Sequence, residues 1–355
     1  MCFQLNGRSC IDNFLRVSDQ ILRVAPDSLR GSEHRLSVKP ARRSRSGAYG
    51  IPFDERDVVV RFLSALCLLT VVGVRPGPAR RAPLRLVHFT TGELSVNVSS
   101  TVIVGPTEAI VVDCLAFAPD AAQEADSIAT LGTHLKAIYV THADIDHYLG
   151  CAKFVERFPG TPVYMTPKAL DRYKKVSVTA YAVTRKSIGT RAILPDSLVT
   201  VQPLPSNTLT VDGEEAVIYR DVQGDKIDSQ NSFIWIPSLR TVLADDIVFN
   251  KVHPLLASVT TEEGHRRWHD ALRRIAALQP LVVVASHKKS FDTPNTPDVV
   301  DAMDRYITEF DAVRKTARDT AEFNVAMRQK YPDWIGDRLL RQSAAAAYGL
   351  LTLPY

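Results

Sequence analysis

The tightest constraint on this chain is a ten-residue segment, Thr141-His142-Ala143-Asp144-Ile145-Asp146-His147-Tyr148-Leu149-Gly150, which follows the apolar run Leu135-Lys136-Ala137-Ile138-Tyr139-Val140. The run is short, partly β-branched and bounded by polar residues, so it reads as a buried strand. Just past the strand the chain is still extended, and His142 and Asp144, two residues apart, project to the same side. Asp146 and His147 arrive as the chain turns towards a helix expected to begin near Leu149. Two histidines and two aspartates at the mouth of a sheet carry a heavy desolvation cost unless a cation neutralises them. The segment therefore predicts a metal site at the end of a central strand.

Around this segment strands and helices alternate from Leu84 onwards. Leu86–Phe89, Ser95–Val104 and Ala109–Val112 read as a strand meander, and Ala118–Leu131 as a helix. After the motif come a helix through Leu149–Phe158, a strand at Pro162–Met165 and a short helix opened by Pro167, proline being tolerated in a first turn. Leu198–Leu204, Thr208–Val211, Ala216–Tyr219, Ser232–Pro237 and Thr241–Ala244 give a second set of strands. Glu262–Leu278 reads as a helix, Leu281–Ser286 as a strand, and Pro297 to about Tyr348 as a helical tail packed on the domain or over one side of its cleft. Two sheets with helices outside both define a four-layer αββα sandwich, an α/β fold with a helical C-terminal extension, whose strand ends meet in the cleft between the sheets. The segment from Tyr173 to Ile193 is expected to be a loop without a readable code.

Composition narrows the class. Of 355 residues, 45% are apolar and 23% charged, as in a soluble globular enzyme. The formal charge of +4 is unevenly spread: residues 1–85 carry 15 Lys/Arg against 7 Asp/Glu, and the remainder 28 against 32. The part expected to fold is thus mildly acidic, which gives a nucleic-acid partner no support. The five cysteines form no CxxC pair, so neither a zinc ribbon nor a disulfide framework is suggested, and Cys151 is expected to be a small packed residue.

Residues 1–58 read as a poorly ordered extension, with a basic polar run at Lys39–Gly47. Residues 59–83 resemble a signal peptide. Phe62–Val74 is too short for a membrane span of about 20 residues but suits a secretory h-region, and Gly77-Pro78-Ala79 offers small residues for cleavage. This suggests a translation start near Val59 or Val60, since no methionine lies between Met1 and Met165. The competing reading is an extension followed by a buried or membrane-touching helix. The protein is expected to be periplasmic or secreted if residues 59–79 act as a signal, and cytoplasmic otherwise.

The motif resembles the T-H-x-H-x-D-H-x-x-G signature of the metallo-β-lactamase superfamily, with Asp144 where a second histidine is usual. Ala244-Asp245-Asp246 after the strand Arg240–Leu243 is similar to the family's Gly-Asp, and Leu281–His287 to its last strand ending in a ligand histidine. Val222-Gln223-Gly224-Asp225 resembles its P-G-H turn, again with aspartate for histidine, and Asp113 fits a structural aspartate near the site. The resemblance covers about Leu84 to His287 and implies a domain over residues 84–290, with 291–355 as the extension. It implies a first metal site of His142, Asp144 and Asp225, and a second of Asp146, His147 and His287, with Asp246 shared. Asp228 is a rival to Asp225.

One or two divalent cations are implied, zinc before manganese or iron. The implied chemistry is attack of a metal-bound hydroxide on an ester, lactone, amide or thioester, with Asp146 orienting the nucleophile and helping to protonate the leaving group. Carboxylates at Asp144 and Asp225 make the first site harder and more anionic, which shifts preference towards manganese or iron; that site is alternatively empty. The rival readings are an iron-dependent oxidoreductase of the same fold and a degenerate, non-catalytic ligand-binding member. Tyr148 is a hydrogen-bond donor to substrate or a wall residue, and His253 lines the pocket or is structural. His265 and His269 are expected on a solvated helix face, and Lys288-Lys289 at the surface. A small-molecule partner is expected, without nucleic acid or a stable membrane span; the sequence leaves the oligomeric state open.

Overall fold

The computed structural model describes residues 83–189 and 192–353. The candidate signal segment and the extension before it lie outside the described residues. The architecture follows from three strands that are apolar on both faces. In β2 (Ser99–Val104), β3 (Glu108–Val112) and β4 (His134–Tyr139), alternate residues enter different cores. Ile103, Ile110, Val112, Ala137 and Tyr139 point between the two sheets, whereas Val102, Val104, Val111 and Ile138 point to helices outside. A strand buried on both faces has to lie inside a layered structure.

The first sheet has six strands in the order β1-β2-β3-β4-β5-β6, with β1 Arg85–Thr90, β5 Val163–Met165 and β6 Gln202–Pro203. Its outer face is covered by α1 (Ala118–Ala129), α3 (Cys151–Arg157) and α4 (Pro167–Ile188). Ala121, Ala125 and Ile128 of α1 sit on one stripe at helical spacing and are fully buried. The second sheet runs β12-β10-β9-β8-β7, from β7 (Thr208–Val211), β8 (Glu214–Val222), β9 (Asn231–Ile236), β10 (Thr241–Leu243) and β12 (Val282–Val284). Its outer face meets α5 (Glu262–Ala277), α6 (Asp298–Thr316), α7 (Thr320–Lys330) and α8 (Asp337–Ala347), which share one apolar core with it. Trp268 of α5 is fully buried there, and its indole N–H donates to Ile247 O at 2.9 Å. Truncating a side chain of this size in a core costs about 3–5 kcal/mol. The four layers are the αββα sandwich expected, and the C-terminal helices pack on the domain.

Strand direction gathers the candidate site. β3 and β4 are parallel neighbours, with Val112 opposite Tyr139, so Asp113 and Thr141-His142 leave the sheet side by side. β10 and β12 are also parallel, with Leu243 opposite Val284, so Asp245-Asp246 and Ser286-His287 leave the second sheet together. Ligand sites in such sheets lie beyond the carboxyl ends of strands. A short ladder between β11 (Phe249–Asn250) and β13 (His287–Lys288) fixes the last strand's exit.

Several expectations are corrected. The helix expected near Leu149 begins earlier: α2 (Ile145–Tyr148) is capped by Asp144, which accepts from the Ile145 N–H at 2.8 Å. The segment from Tyr173 to Ile193 is mostly helix, since α4 runs 22 residues to Ile188. Thr166 caps it, Pro167 starts it, and Leu170, Tyr173, Val176 and Ala180 form its buried stripe. Cys114 and Cys151 are joined in a disulfide, although their 37-residue separation carries no sequence pattern. The end of β3 and the start of α3 converge there, and Gly150 permits it, because a Cβ at that position would stand 1.9 Å from Cys114 O. His265 is buried against α6 rather than solvated, with Nδ1 2.8 Å from Asp311 and Nε2 2.7 Å from Val259 O. His269 Nδ1 likewise faces Asp304 at 2.6 Å. Lys288 is also buried, not at the surface, and burial lowers its pKa to about 8. Among the described residues, no helix is long and apolar enough to cross a membrane.

Candidate metal centre

Three histidines converge, His142 and His147 from one segment and His287 from far along the chain, and each is fixed from behind. His142 Nδ1 lies 2.9 Å from Asp245 Oδ1, and His147 Nδ1 lies 3.0 Å from Asp113 Oδ2. His287 Nδ1 donates to Val96 O at 2.8 Å, and its ring stacks on Phe249 at 4.8 Å between centroids. With each Nδ1 engaged, each Nε2 is the free donor atom and turns inward. Anchoring one ring nitrogen on a carboxylate or carbonyl is how metal-bound histidines are oriented. The Nε2 atoms of His142 and His147 are buried without a hydrogen-bond partner. Buried polar atoms are rarely left so, and an unseen cation is one of the few remedies.

The inward nitrogens surround Asp246. Its Oδ1 is 3.3 Å from His147 Nε2 and 3.2 Å from His287 Nε2, and its Oδ2 is 3.8 Å from His142 Nε2. Asp146 Oδ2 reaches His287 Nε2 at 3.6 Å and His147 Nε2 at 4.0 Å. On the other side Asp225 Oδ1 is 3.9 Å from His142 Nε2. The groups with ligand atoms close enough for one ion include His142-His147-Asp246, Asp146-His147-His287 and His142-Asp144-Asp225. All seven residues proposed from the sequence as ligands are thus brought together. Asp228 is not among them: it lies at φ 64° in a turn and lines a separate cavity of about 610 Å³ with Lys168, Arg172 and Arg267.

Electrostatics describe a centre that demands positive charge. Burial alone would lower the His142 pKa, yet Asp245 and Asp246 lift it to about 9. His147 is raised well above its ordinary value, with Asp246 and Asp113 overcoming desolvation. Asp246 itself is held well below the carboxylate range, since His287 and His147 outweigh its own burial. A divalent cation would supply that charge and displace the imidazole protons. The donor set of imidazole nitrogens and carboxylate oxygens fits such an ion.

Residues behind the ligands were partly hidden from sequence reasoning. Asp113 behaves as expected of a structural aspartate: it accepts from the Thr141 N–H at 2.9 Å and holds His147. Asp245 does the same for His142, accepts from Thr141 Oγ1 at 2.8 Å and receives Asn231 Nδ2 at 3.1 Å. Both aspartates sit in the left-handed region, at φ 62° and 54°. Short polar side chains tolerate that conformation best, and the doubled Asp245-Asp246 was the available sign. Ser286 Oγ donates to Asp246 Oδ1. Lys226 carried no sign beyond its place next to Asp225. It is buried, its ammonium forms an ion pair with Asp144, and its Nζ is 3.1 Å from Asp225 Oδ2. Gly224 lets this turn close, since a Cβ there would come within 2.8 Å of Asp246 O.

Two pocket candidates lie elsewhere. Tyr148 is buried in the core beneath α4, edge-on to Tyr173 at 4.9 Å. His253 is buried among the C-terminal helices, with Nδ1 2.8 Å from Tyr306 Oη and its ring beside Trp334 at 5.9 Å. Its contacts are to the C-terminal segment.

The layered fold and the convergent donors define a metallo-hydrolase class of architecture, and comparison with known proteins names it. The family model described as the metallo-beta-lactamase superfamily matches residues 95–287, more than half the chain. The protein belongs to the metallo-beta-lactamase superfamily, whose members are mostly hydrolases. It is similar in fold to a metallo-beta-lactamase family protein of Thermus thermophilus, with 18% identity, 74% of this chain and 91% of that one covered, and a TM-score of 0.53. A metallo-beta-lactamase from Pontibacter korlensis is also similar, at 18% identity, 64% and 95% coverage and a TM-score of 0.45. No curated protein matches the chain.

Proposed function

We propose that the protein is a metal-dependent hydrolase of small molecules that carry an ester, lactone, amide or thioester. The observation that carries this reading is the convergence of three anchored imidazoles on Asp246, two of them with partnerless Nε2 atoms. His142, His147, Asp246 and His287, with Asp146 beside them, would hold the cation. When bound, the cation acidifies water and polarises the scissile carbonyl.

The chain's own groups do the rest. Asp113, Asp245 and Val96 O keep the imidazoles in one tautomer and orientation. Asp146 is raised by burial, which exceeds the pull of His147 on its carboxylate. Such a carboxyl is suited to take the proton of the attacking water at Oδ2 and return it to the leaving group. The carboxylate-rich donor set supports manganese or iron beside zinc as the ion. Residues 84–290 would form the catalytic domain, with 291–355 an extension; the single apolar core shared by α5 to α8 supports an addition packed on that domain. The Cys114–Cys151 disulfide supports an oxidising compartment, in keeping with export.

His287→Ala tests the reading, because His287 lies far along the chain from His142. Elemental analysis of that variant should show metal lost, and hydrolysis across a panel of nitrophenyl esters, lactones, thioesters and β-lactams should fall with it. Retained metal in His287→Ala would place that residue outside the centre, and no turnover by a metal-loaded wild type on any class would favour a binding role.

A further inference from the structure

We infer that the ammonium of Lys226 takes the place of the first metal ion, so that this enzyme works with a single ion held on the His147 side of Asp246. The inference rests on the metal-dependent reading above and concerns how many ions it needs. Three observations support it. First, the two residues that depart from the family pattern, Asp144 and Asp225, are the two that Lys226 bridges. A histidine at either position would remove one of the ammonium's two carboxylate partners; aspartates at both create a seat for it.

Second, the seat is buried and built. Lys226 is 9% exposed and Asp225 1%. Asn231 Nδ2 steadies Asp225 Oδ1 at 3.3 Å, and Gln223 Nε2 holds the Lys226 carbonyl at 2.5 Å. Gly224 allows the turn to fold tightly enough for Lys226 to reach inwards. A divalent ion bound at about 2.0–2.2 Å to the two carboxylate oxygens that the ammonium engages would have to occupy its space. The two cations compete for those oxygens and repel each other.

Third, the remaining donors still make a complete set. His142 Nε2 can join His147 and Asp246, while Asp146, His147 and His287 form an overlapping group. One ion can therefore draw on Asp146, His147 and His287, with Asp246 3.2–3.3 Å from both imidazoles, without either residue that Lys226 engages. The aspartate substitutions and the lysine belong together as one exchange, an internal cation for an external one.

Metal titration of the full-length protein with zinc, manganese and ferrous iron, read as ions bound per chain, tests this in the wild type and in Lys226→Ala. The wild type should bind a single ion, and Lys226→Ala should admit a second on the freed carboxylates. Cobalt substitution gives a second readout, with the variant alone showing the spectrum of a second, oxygen-rich ion. A wild type that binds two ions overturns the inference and leaves the hydrolase reading standing. So does a folded Lys226→Ala that still binds only one. A wild type that binds none of the three metals removes the functional reading itself. Should Lys226→Ala fail to fold, the wild-type stoichiometry decides alone.

Discussion

The two halves of the metal centre share Asp246 and differ in almost everything else. On one side His147 and His287 present nitrogens to Asp146 and Asp246, and among the described residues no ammonium intrudes. On the other, His142 alone supplies an imidazole, and Asp144 and Asp225 close around Lys226. Desolvation works against every charge in both halves, and each half answers it differently. Burial would raise Asp144, but Lys226 holds its pKa below the ordinary value. Asp225 is pushed up to about 7, where burial and Asp246 prevail over Lys226. In one half the imidazoles face two carboxylates, and in the other an ammonium balances part of the charge from within. If Lys226 stands in for an ion, the fold keeps or relinquishes an ion site through three side chains in two loops.

The largest effect should follow from removing what the halves share. Asp246→Ala is expected to abolish metal binding and reduce hydrolysis by well over the roughly 100-fold typical of losing an outer partner. Full metal content and activity in that variant would break the comparison at its root. The outer carboxylates come next and separate the halves. Asp113→Asn unsettles His147 and should weaken metal binding by about 10–100-fold, whereas Asp245→Asn acts on His142 and should cost less. Chelator competition measures both, and equal losses would mean that the two sides contribute alike.

The smallest effect is a control remote from both halves. Burial lowers the His253 pKa to about 4, with Asp337 opposing and Arg328 assisting. The folded pKa lies below the unfolded value of about 6.5, so the stability held by neutral His253 is complete above pH 6.5. It is lost as pH falls from there towards 4, amounting to about 3 kcal/mol at the low end. Thermal unfolding of wild type and His253→Phe between these limits should show a shallower acid loss in the variant. Its metal content at pH 7 should not change; if it does, His253 is coupled to the centre after all.

Much of this was legible in the sequence because it depends on local pattern. Alternating strands and helices announce a layered sheet, and donors crowded at the end of Leu135–Val140 announce a centre. What stayed hidden depends on partners distant in sequence. Cys114 meets Cys151 only because β3 and α3 end and begin at the same edge of a sheet. His265 resembles a solvated residue until α6 is laid against it with Asp311. Lys288 follows a ligand histidine and has the look of a surface lysine, but the short β11–β13 ladder draws it inside. Lys226 is the most instructive, since a basic residue in a polar turn is ordinary and only the approach of Asp144 gives it meaning.

The bond between Cys114 and Cys151 has a consequence for the order of events. It closes a ring of chain that contains α1, β4 and the whole donor-bearing loop, and Cys114 N–H also donates to His147 O at 2.8 Å. Cross-linking a ring of this size removes freedom from the unfolded chain worth about 4 kcal/mol. Once the ring is shut, His142, Asp144, Asp146 and His147 cannot drift far from β3, even while their hydrogen bonds open and reform. The cross-link thus keeps the candidate donors near one another independently of any ion. In a reducing medium an ion would have to organise that loop itself.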